Sequence, residues 1–276
     1  METAANREYK SSVFASLFGE KEVLLELYNA INNTNYGKDT DVKMATLDGV
    51  LFRGGLQNDL SFMIDDKFVV LIEHQSTVNE NMPFRMLNYI SEVYKNVIDG
   101  KAIYKERKVM IPHPEFIVLY NGEDDYPDHA TLKLSNSFKL RGEECPINLE
   151  VIVEVYNINK GRNPQFAEKS ENLNGYEEFM AVIRANEAGG MDKKEAIIEA
   201  VKYCQSHRIL EDYLINKGQE VITMLLKEWD LETAQKVREE ERVERIAINM
   251  LKKGMSVDDV AELTGLFVDD VLRLEY

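Results

Sequence analysis

Cysteine and histidine are scarce in this sequence, and long apolar runs are missing. The two cysteines, Cys145 and Cys204, cannot build a disulfide framework, and CxxC and zinc-ligand spacings are absent. Only four histidines occur, which disfavours a histidine-rich metal site. No apolar run approaches the roughly 18 residues of a membrane span. Because the first residues, METAANREYKSS, also lack the apolar core of a secretory signal, we expect a cytoplasmic protein with no membrane partner.

Several catalytic signatures are absent too. The chain has no GxSxG, no HExxH, no P-loop and no cysteine–histidine nucleophile pattern, which disfavours the common hydrolases built on them. Positive charge is likewise in deficit, with 33 Lys and Arg against 49 Asp and Glu and a net charge of −16. Such a field favours solubility and, taken alone, repels nucleic acid.

One segment departs from this acidic background. Residues 82–108 hold six basic side chains against three acidic ones, a local charge of +3 (Arg85, Lys95, Lys101, Lys105, Arg107, Lys108 against Glu92, Asp99, Glu106). A solvated helix face is the simpler explanation for most of them. An anion-binding surface is the alternative.

The remaining pattern predicts a mixed α/β domain followed by helices. A chain of 276 residues can hold one main domain and an appendage. For the first 160 residues, periodicity predicts a helix over 8–32, strands at 49–54, 58–64 and 67–75, a helix over 82–99, and strands at 115–121 and 149–158 joined by a polar connection. We therefore predict an α/β domain over 1–165, an all-helical region over 166–253 and a small tail over 254–276.

The tail resembles a helix-turn-helix. Ser256 is placed to cap a helix, Gly265 lies at the turn, and an apolar stripe follows at Val268, Val271 and Leu272. A DNA-reading helix should begin with basic or amide side chains, whereas this one begins with two aspartates. A regulatory or protein-contact role is therefore favoured. The charged helix at 227–253 is either a homo-oligomer contact or a solvated face.

The most informative stretch is 69-VVLIEHQSTVNENMPFR-85, where a buried strand ends on polar residues. A three-residue turn, Asp65-Asp66-Lys67, would place Ile64 opposite Phe68 and give the hairpin one wholly apolar face. The same register places Asp59 opposite Glu73, with Cβ atoms roughly 4.5–5.5 Å apart. A slip by one residue would spoil both faces, so the register is strongly specified.

Two carboxylates placed opposite each other destabilise a sheet unless something compensates them. A divalent cation would do so, because hard cations take carboxylate oxygens. Gln75 lies on the same face as Glu73, two residues further on. His74 points to the apolar side, where a packed, hydrogen-bonded role is favoured over a ligand role.

An aspartate, a hairpin and then Glu-x-Gln on the next strand resembles the PD-(D/E)XK nuclease superfamily. More narrowly, DLSFMIDDKFVVLIEHQSTVNENMPFRMLNYI and the later VYNINKGRN resemble the recombination-promoting nuclease/putative transposase (Rpn) family. The resemblance implies a restriction-endonuclease-like core, a mixed central sheet flanked by helices, over residues 1–165. It also implies Mg²⁺-dependent hydrolysis of DNA phosphodiesters, associated with recombination or mobile elements.

Carried over by position, the resemblance makes Asp59, Glu73 and Gln75 catalytic and gives Asp59 and Glu73 the metal, Mg²⁺ or Mn²⁺. Gln75 stands where the superfamily has lysine, so a neutral hydrogen bond replaces a positive charge. The alternative is a catalytically inactive nuclease-fold scaffold that binds DNA or a protein partner.

Two further sets of residues are candidates near this site. Arg85 and Tyr89 share a helix face and either contact a DNA phosphate or, for Arg85, hold a carboxylate. An acidic residue of the first helix often belongs to such sites, and Glu20, Glu22 and Glu26 are all available.

Overall fold

A six-stranded mixed sheet organises the described part of the chain. The computed structural model describes residues 13–44, 59–139 and 145–274, without the side chains of 228, 229 and 231–241. The strands are β1 (Val42–Met44), β2 (Leu60–Ile64), β3 (Phe68–Gln75), β4 (His113–Tyr120), β5 (His129–Lys133) and β6 (Ile152–Asn157). They lie in the order β1-β2-β3-β4-β6-β5. β3, β4 and β6 run parallel, and the other neighbouring pairs are antiparallel.

Helices precede, connect and follow these strands. They are α1 (Val13–Phe18), α2 (Lys21–Asn32), α3 (Met82–Val97), α4 (Pro164–Ala167), α5 (Glu171–Ala188), α6 (Lys193–Ser206), α7 (Glu211–Lys252), α8 (Val257–Thr264) and α9 (Val268–Arg273). Local chemistry fixes several starts: Ser170, Asp192 and Ser256 cap α5, α6 and α8 through side-chain oxygens. The predicted mixed α/β class is confirmed, and in the described ranges the elements that follow β6 are helices.

Helices cover both faces of the sheet. On one face, α3 packs its apolar stripe, including Met86 and Val93, against the odd-numbered side chains of β3. On the other face, the Phe14 ring of α1 stacks on His74 at 4.8 Å. Tyr28 of α2 meets Phe62 edge-on at 6.0 Å on that same face. Burial of each large apolar side chain contributes about 1.5–3 kcal/mol to the stability of the fold. These two helical layers therefore hold the sheet firmly between them.

The β2–β3 hairpin has the predicted register. Leu60 pairs with Ile72 and Ile64 with Phe68, which leaves the three-residue turn Asp65-Asp66-Lys67. Asp65 and Asp66 both adopt positive φ, 51° and 55°, a conformation that aspartate tolerates better than most residues. The Lys67 N–H donates to the Ile64 carbonyl at 2.9 Å and closes the turn.

The first helix and the polar connection differ from prediction. The helix expected over 8–32 is two helices over its described part, since α1 ends at Phe18 and α2 begins at Lys21. β5 lies inside the connection that the sequence predicted as polar; its side chains alternate between exposed and half-buried at the sheet edge, so its apolar signal is weak. The strand predicted at 49–54 lies outside the described residues, and β1 was not predicted.

The chain divides into two compact units, with the boundary between Ile222 and Thr223. In the second unit, the end of α7 packs with α8 and α9 around Ala247, Leu251 and Val260. The predicted stripe on the last helix is only partly correct, because Val271 is buried whereas Val268 and Leu272 are exposed. The predicted boundaries near 165 and 253 stay predictions.

No helix in the described ranges combines the length and apolarity needed to cross a membrane.

Candidate functional site

The predicted acidic pair lies where β2 begins and β3 ends. Asp59 directly precedes β2, one position before the Leu60–Ile72 pair. Its Oδ2 accepts a hydrogen bond from the His74 backbone N–H at 2.6 Å. Glu73, the residue before His74 on β3, is only 4% exposed. The hairpin therefore brings the two carboxylates together, as the register predicted.

A side chain from α3 reaches the same carboxylate. Arg85 Nη2 donates to Glu73 Oε2 at 3.0 Å and to the Tyr89 hydroxyl at 2.9 Å. The shared helix face of Arg85 and Tyr89 is thus confirmed, and of the two predicted roles for Arg85 the structure contains the carboxylate contact. A phosphate contact for either residue stays a prediction.

Two buried polar atoms at this hairpin lack hydrogen-bond partners. Among the described residues, the unpartnered buried side-chain atoms are Glu73 Oε1 and Ser61 Oγ. Ser61 is fully buried and pairs across the hairpin with Leu71, so its side chain shares a face with Glu73. An unsatisfied buried polar atom costs about 1–3 kcal/mol, and such atoms are rare in native proteins. Both atoms lie close to the acidic pair, so a ligand bound there would supply the missing interactions.

Burial makes the acidic pair hard to ionise. Desolvation, reinforced by the nearby Asp59 charge, raises the pKa of Glu73 to about 8, although the Arg85 guanidinium opposes the rise. Burial also raises the pKa of Asp59, against the hydrogen bond from the His74 N–H. Arg85 alone therefore compensates the charge of the acidic pair only in part.

Gln75 lies on the same face at the end of β3, as predicted. Its Nε2 contacts the Met82 sulfur at 2.8 Å, and Arg85 Nη1 reaches the same sulfur at 3.3 Å. A thioether is a weak acceptor. The Gln75 amide also interacts with the Glu73 carboxylate, where it opposes the rise of the Glu73 pKa. Gln75 also lines a small cleft with Asn79, Met82 and Tyr120, among others.

His74 has the packing role that the sequence predicted. Its ring stacks on Phe14, and its Nε2 hydrogen-bonds the Tyr176 hydroxyl at 3.0 Å. Burial, with a smaller contribution from Arg184, lowers the pKa of His74 to about 4. A neutral, packed imidazole on the opposite side of the strand from Glu73 is confirmed.

The three candidate acids of the first helices have other partners. Glu26 accepts hydrogen bonds from Ser170 and Asn172 at the start of α5. Glu22 pairs with Lys38 at 2.8 Å, and Glu20 lies 3.8 Å from Lys217. These contacts engage all three carboxylates away from the acidic pair, so the expectation that one of them joins it finds no support.

Sequence reasoning missed a second polar cluster at the same end of the sheet. We call it the amide cluster: Asn121 follows β4, Asn157 ends β6, and Asn159 comes two residues later. Arg184 of α5 donates to the Asn121 carbonyl at 2.6 Å, to Asn121 Oδ1 at 2.9 Å and to Asn159 Oδ1. One signal was available, since both parallel strands end on the dipeptide Tyr-Asn, at 120–121 and 156–157.

The amide cluster is joined to the acidic pair through the backbone. The Asn121 N–H donates to the Gln75 carbonyl at 2.9 Å, next to the site. Gly122 passes so close that a Cβ there would lie 2.1 Å from the Ser76 carbonyl oxygen. Only glycine permits this approach, which fixes the loop after β4 against the end of β3.

The basic side chains of residues 82–108 divide between two environments. Arg85 enters the site from the first turn of α3, whereas Lys95 pairs with Glu92 on the exposed face of that helix. The four basic residues after α3 are exposed (Lys101, Lys105, Arg107 and Lys108). Of this cluster, it is Arg85 that contacts the acidic pair.

The side chains at the site could bind a hard divalent cation, but they supply few ligands. Within the described ranges no group of three or more His, Cys, Asp or Glu side chains is arranged to hold a metal ion. Mg²⁺, however, is commonly bound through one or two carboxylates while it keeps several waters. Asp59 and Glu73 supply two carboxylates, and the unpartnered Glu73 Oε1 is the oxygen that such an ion would satisfy.

Fold and site together define an α/β protein with a buried carboxylate pair where an antiparallel hairpin joins a parallel sheet. Residues 56–159 match the family model described as "Putative transposase, YhgA-like". This family is the Rpn/YhgA group that the sequence resembles, so the predicted resemblance is confirmed over this segment. Neither the curated proteins nor the solved structures include a significant match.

Proposed function

We propose that this protein is a Mg²⁺- or Mn²⁺-dependent endonuclease that hydrolyses DNA phosphodiester bonds, in association with recombination or mobile elements. The family supports a mobile-element context and an interaction with DNA. One observation carries the catalytic part: a carboxylate pair, half-buried Asp59 and buried Glu73, with an unpartnered oxygen on Glu73. Burying two adjacent acids is costly unless a cation compensates them.

We extend the proposal to the PD-(D/E)XK core. The hairpin β2–β3, the crossover helix α3 and the parallel strand β4 follow one another in the order that this core requires. Asp59 directly precedes β2 and the Glu73-x-Gln75 segment ends the adjacent strand β3, which is the placement of its motif. Both the order and the placement support this assignment.

Each side chain then has a defined task. Asp59 and Glu73 hold the ion, which when bound polarises the scissile phosphate and lowers the pKa of a bound water. Gln75 orients the attacking water through a neutral hydrogen bond. Arg85 and Tyr89, at the edge of the site, contact a phosphate of the DNA. Since Gln75 cannot stabilise charge as lysine does, we expect slower chemistry than a lysine enzyme of this class would show.

The test is cleavage of supercoiled plasmid DNA with Mg²⁺ or Mn²⁺. Asp59→Asn and Glu73→Gln should each lower the rate by on the order of 10²-fold or more, as loss of charge stabilisation at a phosphoryl centre does. Asp66→Asn is the matched control, because Asp66 lies in the same hairpin but pairs with exposed Lys43. Cleavage that survives both site substitutions would reject the assignment.

A catalytically inactive scaffold that binds DNA or a protein is the second candidate. Two observations favour it: Gln75 replaces the lysine, and Arg85 already compensates Glu73. Calorimetry with Mn²⁺ separates the two functions, because a scaffold should show no heat of binding that depends on Asp59. Retention of a labelled DNA duplex by such a protein would then support the scaffold.

A further inference from the structure

Arg85 holds the acidic pair from the solvent side. Its side chain is 31% exposed, whereas that of Glu73 is 6% exposed. The guanidinium thus lies between solvent and the buried carboxylate, in contact with Glu73 Oε2 at 3.0 Å. A cation that approaches this oxygen from solvent meets Arg85 there.

The other contacts of the guanidinium are with neutral groups. Nη2 also reaches the Tyr89 hydroxyl, and Nη1 faces the Met82 sulfur. These partners place the arginine but supply little electrostatic attraction. The electrostatic attraction comes from the acidic pair: Glu73 contacts the guanidinium and Asp59 attracts it from further away. A change in the charge of this pair therefore changes what holds the guanidinium in place.

A divalent ion and the guanidinium cannot both be near neighbours of this carboxylate without repulsion. At about 4 Å, two unit charges at an effective dielectric constant of 20 interact with roughly 4 kcal/mol, and a divalent ion doubles the charge on one side. The ion also takes the negative charge that attracts Arg85. Long arginine side chains have the reach to turn outward from a half-exposed position.

We propose that Arg85 is the resident counter-ion of the Asp59–Glu73 pair and leaves it when a divalent ion binds, so that the guanidinium becomes available to a DNA phosphate. This inference rests on the proposed metal site. It makes ion binding and phosphate binding mutually reinforcing, since each ligand favours the displaced arginine, and such coupling is reciprocal. In the ion-free protein, Arg85 compensates the negative charge of the acidic pair.

The test measures the accessibility of Arg85 to the arginine reagent phenylglyoxal, with each modified arginine identified by mass spectrometry. In the wild-type protein, Mn²⁺ should accelerate modification of Arg85 several-fold. Arg184 is the internal control, because neutral amide and carbonyl groups hold it and its rate should not respond to the ion. In Glu73→Gln, Arg85 should react faster without any ion and should not respond to Mn²⁺.

Asp59→Asn provides a second variant that keeps the Arg85–Glu73 contact. There, modification of Arg85 should stay slow with and without Mn²⁺. If calorimetry detects Asp59-dependent Mn²⁺ binding while the modification of Arg85 stays unchanged, the displacement is wrong and the proposed metal site stands. If no Asp59-dependent binding is detected, the metal site is wrong and the displacement with it.

Discussion

The acidic pair and the amide cluster lie at the same end of one sheet, yet their hydrogen-bonding needs are met very differently. In the amide cluster, Asn121 and Asn159 accept from Arg184 and donate to carbonyl groups of neighbouring loops. In the acidic pair, Glu73 keeps one oxygen without a partner. The difference teaches that the amide cluster serves to fix loops. In the acidic pair, the free-energy penalty of the unpaired oxygen would be removed by a bound ligand.

The chemical nature of the groups explains the contrast. An amide is neutral and carries both donors and acceptors, so neighbouring amides can satisfy one another's hydrogen bonds. A carboxylate only accepts and carries charge, so a pair of them needs donors or cations from elsewhere. Perturbed, incompletely compensated acids concentrate at functional sites.

The largest expected effect comes from breaking the amide cluster. Arg184→Leu removes the charged donor of three hydrogen bonds and leaves buried acceptors unpaired, which should lower the free energy of unfolding by about 3–4 kcal/mol. Urea titration measures it. Arg162→Leu, which removes exposed ion pairs to Asp125 and Asp128, should cost no more than about 1 kcal/mol. Equal losses in the two variants would show that the network is not the source of stability.

A smaller effect is expected from the pH dependence of the acidic pair. Because the pKa of Glu73 is raised to about 8 in the folded protein, its contribution to stability is complete below about pH 4.5 and is lost as the pH rises through 8. In EDTA, the stability of the wild type relative to Glu73→Gln should fall by about 2–3 kcal/mol between pH 6 and pH 9.

Thermal unfolding across this pH range measures the difference. Glu22→Gln is a suitable control, since Glu22 is exposed and pairs only at the surface with Lys38. Parallel stability curves for wild type and Glu73→Gln would contradict the raised pKa of Glu73.

The smallest expected effect concerns a single buried hydroxyl, that of Ser61. Ser61→Ala removes an unpartnered buried oxygen and should stabilise the ion-free protein by roughly 0.5–1 kcal/mol. Ser135→Ala removes a hydroxyl that donates to Glu150 at 2.7 Å and should be destabilising instead. Denaturant midpoints compare the two variants. Destabilisation by Ser61→Ala would mean that its hydroxyl is satisfied after all.

Local patterns predicted a large share of the fold and part of the site. The alternation along 60–64 and 68–75 predicted the hairpin, its turn and the neighbourhood of Asp59 and Glu73. β5 was not predicted because an edge strand buries little of either face: its side chains alternate only between exposed and half-buried. The role of Glu26 escaped because its partners, Ser170 and Asn172, are more than 140 residues away along the chain.

By itself, the sequence determined the register of the β2–β3 hairpin and hence the meeting of two carboxylates, because period-two burial and turn chemistry act over a few neighbouring residues. Only the tertiary structure decided what those carboxylates contact. The angle at which α3 packs on the sheet brings Arg85 to Glu73, and α5 brings Arg184 to the ends of β4 and β6. Such contacts depend on how separate layers pack, which no local pattern specifies.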